Sequence, residues 1–237
     1  MLAHLDAAPG AREAQEAVRE LKYVLPAAYT SALAAGLAAF LRPDPRYPDN
    51  QVVSVYFDTP DLDSIAEKIN GDSRKRKLRL RWYEPARGAG PASPAFLELK
   101  LRHGELRWKV RAEVEDSERP WRRDLPLEHP AWVDLPRRLA PETLRLPAGM
   151  VAVAVVRYHR RRFIDAASAS RVALDSGIRA TAWHRGLLPG LAPRPLADSV
   201  LEVKSSAEPA GALRFLIERF GCRRSAFSKY TAALGLH

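Results

Sequence analysis

The chain has 237 residues, 46% hydrophobic and 28% charged, which suits one sizeable core and excludes a disordered tail, a collagen-like chain and a low-complexity chain. Its one cysteine, Cys222, excludes an intrachain disulfide and a cysteine-based zinc site. Lys and Arg number 38 against 28 Asp and Glu, a net charge of +10 that calls for an anionic partner: nucleic acid, an anionic membrane surface or a phosphate-rich small molecule.

Met1 to Gln15 carries Asp6 and Glu13 and no apolar run, so it is not a secretory signal and reads as a flexible segment ahead of a single domain over 16–237. With one cysteine, the simplest location is the cytoplasm. Val24 to Leu41 lacks charge but contains Pro26, Tyr29, Thr30, Ser31 and Gly36 and is rich in alanine. Tyr29, Leu33, Leu37 and Phe40 recur at helical spacing, which predicts a soluble amphipathic helix after a short strand at 18–24 and no transmembrane segment.

Gln51 to Phe57 is β-rich and stops at Asp58-Thr59-Pro60; Asp61 to Ile69 reads as a short helix. Period-two alternation follows in three segments. Lys77, Arg79 and Arg81 alternate with Leu78, Leu80 and Trp82; Glu98, Lys100 and Arg102 with Leu97, Leu99 and Leu101; Lys109, Arg111 and Glu113 with Trp108, Val110 and Ala112. These predict consecutive antiparallel strands. Pro120 to Pro147 reads as short helices and loops outside the sheet, with Trp121 and Trp132. Strands are predicted at Met150 to Phe163, Arg171 to Ala180 and Val200 to Ser205, and a Gly/Pro-rich loop at 184–197. Pro209 opens a helix with Leu213, Leu216, Ile217 and Phe220 on its apolar face, and a last helix starts near Ser225.

The fold class is therefore α+β: about eight antiparallel strands flanked by helices. For a single strand, a charged face in water is the simplest account. Here the charged faces are nearly all cationic, and eight strands can close around a ligand. The sharper expectation is an eight-stranded tunnel or barrel with a charged lumen and apolar faces outward. Cations at every second residue stand about 7 Å apart, on the scale of adjacent phosphates in a chain. Arg matches phosphate oxygens bidentately and Lys as a point charge. Mg²⁺ bridging phosphates would need one or two carboxylates among them, and Glu20, Glu98 and Glu202 each precede a lysine by two residues.

The chain resembles the VTC-type polyphosphate polymerase domain of the triphosphate tunnel metalloenzyme (CYTH-like) superfamily. Nine pieces occur in family order: Glu20-Leu21-Lys22-Tyr23, Ser54-Val55-Tyr56-Phe57-Asp58-Thr59, Leu78-Arg79-Leu80-Arg81-Trp82-Tyr83, Leu97-Glu98-Leu99-Lys100, Lys109-Val110-Arg111, Tyr158-His159-Arg160, Arg171-Val172-Ala173-Leu174-Asp175, Leu201-Glu202-Val203-Lys204 and Phe227-Ser228-Lys229-Tyr230. A single Glu-x-Lys strand is common; nine pieces in order across nearly the whole chain are specific. The resemblance implies a tunnel that binds triphosphate or a phosphate chain with Mn²⁺ or Mg²⁺. It implies phosphate-binding roles for Lys22, Arg79, Arg81, Lys100, Lys109, Arg111, Arg160, Arg171, Lys204 and Lys229, with Lys68 a looser match. Glu202 matches the metal ligand, with Glu98 and Glu20 as further candidates. The residues carrying catalysis would be Arg79, Arg81, Lys100, Arg160 and Glu202.

Two positions depart from the pattern. The hydrolytic branch begins Glu-x-Glu-x-Lys, whereas Val18 stands first here, which favours the VTC branch. Ala226 stands where a second lysine often precedes Phe-Ser-Lys, with Arg223 and Arg224 nearby. Eukaryotic relatives sit in a larger membrane complex, so a separate membrane partner is left open. The activity implied is polyphosphate synthesis from ATP. A triphosphatase or polyphosphatase on the same tunnel, a non-catalytic polyphosphate-binding module and an RNA-binding protein are the alternatives. The run Arg74 to Lys77 continues into the alternation of Arg79 and Arg81, which argues for a directed strand face over a nucleic-acid patch. The histidines show no metal-ligand spacing, and His159 reads as structural or solvent-facing. Arg160 and Arg162 share a side, leaving Arg161 outside. Tyr56 and Asp58 also share a face. Trp82, Trp108, Trp121, Trp132 and Trp183 read as core or packing residues.

Overall fold

The computed structural model describes residues 19–85, 94–104, 106–114, 121, 125–133, 135–139, 146 and 149–236. The expectation of a flexible segment over residues 1–15 lies outside them. Eight long strands occupy the positions predicted from the sequence: β1 (Arg19–Pro26), β3 (Asp49–Asp58), β4 (Arg74–Pro85), β5 (Ala95–His103), β6 (Leu106–Val114), β7 (Val151–Ile164), β8 (Arg171–Trp183) and β9 (Asp198–Ser205). Two-residue strands, β2 (Arg42–Pro43) and β10 (Arg223–Arg224), bring the sheet to ten. The helices are α1 (Thr30–Phe40), α2 (Asp63–Ile69), α3 (Leu135–Leu139), α4 (Gly211–Arg219) and α5 (Lys229–Ala233).

All strand pairs are antiparallel, in the order β10-β1-β9-β8-β7-β3-β4-β5-β6, with β2 beside β7. The sheet is not closed by hydrogen bonds, which corrects the expected eight-stranded barrel: among the described residues β6 pairs with β5 and β10 with β1. Arg223 and Arg224 take the β1 edge at Tyr23 and Val24, where β6 would have to pair to close the sheet. The sheet nevertheless curls. Six strand spacings separate β1 from β5, about 29 Å if flat, yet Lys100 Nζ of β5 lies 3.9 Å from Glu20 Oε2 of β1.

Burial explains the direction of the curl. The outward faces of β1, β8 and β9 (Leu21, Tyr23, Leu25, Val172, Leu174, Leu201, Val203) pack under Leu33 and Leu37 of α1 and Leu213 and Leu216 of α4. Those of β3, β4 and β5 (Val53, Val55, Leu78, Leu80, Leu97, Leu99) pack under Trp121, Leu127, Trp132 and Leu135. The third cluster lies on the opposite, charge-bearing side. Val52, Tyr56, Val156, Tyr158 and Val200 meet Ile65 of α2 and Tyr230, Ala233 and Leu234 at the C-terminal end. One end of the inner face is thus apolar and covered by α5, where charge throughout was expected.

Several local expectations change. Tyr29 and Phe40 of the α1 stripe are exposed; Leu33, Ala34 and Leu37 carry its burial, because α1 meets both the sheet and α4 along that narrower line. Gly36 permits that approach, since a Cβ there would stand 2.8 Å from Leu216 Cδ2. The last helix begins at Lys229, not near Ser225, because Arg223 and Arg224 extend to pair with β1. Trp108 is half exposed on the outward face of the edge strand β6. No helix among the described residues is long and apolar enough to cross a membrane.

Leu37 is fully buried between α1, α4 and the sheet. Leu37→Ala should cost about 2–5 kcal/mol of stability, read from urea unfolding. A cost below about 1 kcal/mol would mean that this cluster is not tightly packed.

Candidate active site on the charged face

Cross-strand register places every residue of the sequence-derived set that lies on the sheet on one face. Lys22 faces Glu202 and Glu20 faces Lys204 across β1 and β9, and Arg171 of β8 faces Lys204. On the other side Arg79 faces Glu98, Lys100 faces Lys109, and Glu98 faces Arg111. Arg160 faces Asp175, and Arg81 of β4 faces Ser54. Lys229, from α5, reaches the same face. Arg161, on the opposite face, lies 3.7 Å from Asp49, which also pairs with His159.

Of the three glutamates on this face, Glu98 stands apart from Glu202 and Glu20. Glu98 is buried and takes Arg79 Nη2 at 2.6 Å on one oxygen and Lys109 Nζ at 2.6 Å on the other, with Arg111 at 3.7 Å and Arg81 at 4.0 Å. Desolvation opposes its charge, but the cations win, chiefly Arg79 and Arg81, and its pKa falls far below the carboxylate range. Glu202 takes Arg160 Nη2 and Lys229 Nζ, each at 2.6 Å, and is likewise held ionised against its burial by Lys229 and Arg160. Glu20 lies 3.3 Å from Lys22 and 3.9 Å from Lys100; its burial is outweighed by Lys100 and Lys22, which lower its pKa to about 2.

Asp175 is the residue that sequence reasoning left without a role. It is fully buried and takes Arg160 Nε at 2.5 Å and Lys229 Nζ at 2.6 Å, closing a quartet of two cations and two carboxylates with Glu202. Its signal was present: four residues after Arg171, it shares that strand face. Lys77 was also omitted, although it opens the alternation that runs through Arg79 and Arg81. It donates to Ser228 Oγ at 2.6 Å.

Lys77 and Lys100 have too few anions around them. Burial, and then Lys22, Lys68 and Arg79, press the Lys77 pKa down to about 7. Burial and Arg79 press Lys100 well below the lysine range, with Glu20 only partly offsetting them. The sign for stability follows. Unfolded Lys77 titrates near 10.5, so the folded chain binds fewer protons between about pH 7 and 10.5 and gains stability as pH rises through that window. Below it the repulsion is present in full. Arg81 is short of partners in another way. It is buried, its Nε donates to Ser54 Oγ at 2.9 Å, and its Nη2 is buried with no hydrogen-bond partner. An orphaned guanidinium nitrogen of this kind calls for an oxygen.

The C-terminal segment latches the inner end. Lys22 Nζ donates to the Phe227 carbonyl at 3.2 Å, and Tyr230 stacks on Tyr56 with ring centroids 4.5 Å apart. Tyr230 also donates to Asp58, whose other oxygen accepts from the Thr59 and Ser64 amides at the start of α2. The face shared by Tyr56 and Asp58 is therefore a joint between β3, α2 and α5.

Asp175, Lys77 and the Arg81 orphan make this a cation-rich face with internal counterions and an unfilled demand for anionic oxygen. Comparison with a known structure agrees in fold. A solved structure from Bacillus halodurans, described as a candidate adenylate cyclase, superposes with a TM-score of 0.53 at 13% identity, covering 90% of this chain and 94% of that one. A second such protein, from Vibrio parahaemolyticus, gives 0.47 at 14%, covering 91% and 97%. Comparison with curated proteins finds no match. The family model of the VTC domain matches residues 14–236, and the chain belongs to that family.

Proposed function

We propose that the charged face is the inner wall of a phosphate-binding tunnel and that the protein transfers the γ-phosphoryl group of ATP to a growing polyphosphate chain. The observation that carries the phosphate assignment is the buried, partnerless Nη2 of Arg81, set among cations that include the under-neutralised Lys77 and Lys100. Phosphate oxygens would complete the Arg81 guanidinium and raise the depressed lysine pKa values at once. Membership in the VTC family supports the same reading.

The carboxylates favour phosphoryl transfer to phosphate over hydrolysis. A hydrolase needs a base to deprotonate or orient water. Glu20, Glu98 and Glu202 are all held ionised by cations, which makes them weak bases. Burial raises the pKa of Asp58, but its oxygens already accept from Thr59, Ser64 and Tyr230. An incoming phosphate oxygen is anionic at neutral pH and needs no such base. Catalysis then rests on alignment and charge neutralisation. Arg79, Arg81, Lys100 and Arg160 would hold the phosphates in line; Lys22, Lys109, Arg111, Arg171, Lys204 and Lys229 would extend the wall.

Among the described residues no three His, Cys, Asp or Glu side chains gather into a metal cage. A phosphate-bridging divalent ion does not require one, since one or two carboxylates and the substrate oxygens suffice. Glu202 and Glu20, diagonal neighbours across β1 and β9, fit that requirement, with the metal taking the place of Arg160 or Lys229 on one Glu202 oxygen; Glu98, ringed by four cations, would have to give up more. Bound there, Mn²⁺ or Mg²⁺ would neutralise charge on the transferred phosphoryl group.

Incubated with ATP and Mn²⁺, the purified protein should yield ADP and the chain-interior signals of polyphosphate in phosphorus NMR. Orthophosphate alone would establish a hydrolase, and no turnover with retained binding a binding module. Glu202→Gln should lower turnover by at least about a hundred-fold while inorganic tripolyphosphate binding, read by calorimetry, is kept. Full activity in that variant would remove Glu202 from the metal site.

Arg81→Met separates function from stability. It should weaken tripolyphosphate binding by about ten-fold or more, because a charge-assisted contact is lost. It should leave the melting temperature unchanged or raised, because a buried cation with incomplete partners is removed. A strong fall in melting temperature with unchanged binding would make Arg81 a structural residue.

A further inference from the structure

A cavity of about 440 Å³ opens at the outer end of the charged face, opposite the end that α5 covers. Its deep wall carries Arg160 and Glu202, both part of the proposed phosphate site. Its outer part differs from the lysine-rich region around Lys22, Lys77 and Lys100: it is lined by aromatic rings and arginines. Phe163 is buried in the outer core. Phe96 carries the Arg111 guanidinium 3.5 Å above its ring, and Tyr83 carries that of Arg162 at 5.2 Å. Tyr47 is 59% exposed.

Tyr47 is not a loose surface ring. Its amide donates to Asp44 Oδ1 at 2.8 Å, and its carbonyl accepts from Arg162 Nη1 at 2.9 Å. The Arg162 backbone also bonds to Asp44 and Pro48 on either side. The loop between β2 and β3 is thus pinned to β7 at three points, with an exposed aromatic side chain at the cavity rim. A flat π-system could lie against Tyr47 and the guanidinium planes of Arg111 or Arg162, which also stack on bases.

We propose that this cavity holds the nucleoside of the donor, with the base stacked on Tyr47 and the phosphates directed inward to Arg160, and that it selects purines over pyrimidines by stacking area. This rests on the phosphoryl-transfer reading above. Two acceptors near the rim are already engaged: Asp44 Oδ1 accepts two amides, and Asn50 Oδ1 accepts from Arg162. With those oxygens taken, selection is by ring size, with adenine and guanine treated alike.

The test is calorimetric titration of the full chain with ATP, GTP, CTP, UTP and inorganic tripolyphosphate, in EDTA so that nothing turns over. The purine nucleotides should bind alike and about ten-fold tighter than the pyrimidine ones. Tyr47→Ala should remove that difference and leave tripolyphosphate unchanged; Tyr47→Phe should keep it. Absence of a purine preference in the wild type, or equal weakening of ATP and tripolyphosphate by Tyr47→Ala, would overturn the inference and leave the phosphate site standing. Failure of all five ligands to bind the wild type would overturn the phosphate site, and the nucleoside cavity with it.

Discussion

Repulsion between cations gathered on one face of a curled sheet is the constraint on which the rest of this molecule depends. A lysine pressed to a pKa of about 7 and a buried guanidinium nitrogen with no partner both cost folding free energy. The chain lowers that cost by setting its carboxylates between cations. Glu98 serves Arg79 and Lys109, Asp175 and Glu202 serve Arg160 and Lys229, and Glu20 serves Lys22 and Lys100. The neutralisation stops short of complete, and the positive charge and N–H donors it leaves over suit an anionic oxygen ligand.

The apolar parts supply the opposing free energy and set the shape. Two clusters cover the outer faces, so the inner face is left to the charges. The third closes the inner end, where Tyr230 on Tyr56 and Lys229 on Glu202 and Asp175 fasten the C-terminal helix across the sheet. α5 has only five residues and no side-chain N-cap, so tertiary contacts must hold it. A ligand that displaced Lys229 from its carboxylates would loosen that fastening, which couples the site to the C-terminal segment.

Much of this was legible in the sequence. Period-two alternation located the central charged strands and the face of each charge, down to Arg161 lying opposite Arg160 and Arg162, and β-rich runs located others. Family resemblance supplied the order of the pieces and put Glu202 in the candidate set. Alternation says which face a residue occupies but not what lies across the sheet, so Asp175 as partner of both Arg160 and Lys229 was not visible. Nor was the separation of Glu98 from Glu202, which depends on sheet order. Helical spacing overstated the buried stripe of α1, because Tyr29 and Phe40 extend past the line where α1 meets the sheet and α4. Strand count suggested closure, whereas the hydrogen-bonded sheet ends at two cationic edges. Tyr47 had no sequence signal at all: its place comes from the pinning of a short loop to Arg162.

The most direct measurement is the pKa of Lys77, followed by NMR of its labelled ammonium group with and without inorganic tripolyphosphate. In the free protein it should titrate near 7, and tripolyphosphate should raise it toward the ordinary lysine range as the missing anion is supplied. A lysine that already titrates near 10.5 in the free protein, and does not respond to tripolyphosphate, would contradict the under-neutralised phosphate site.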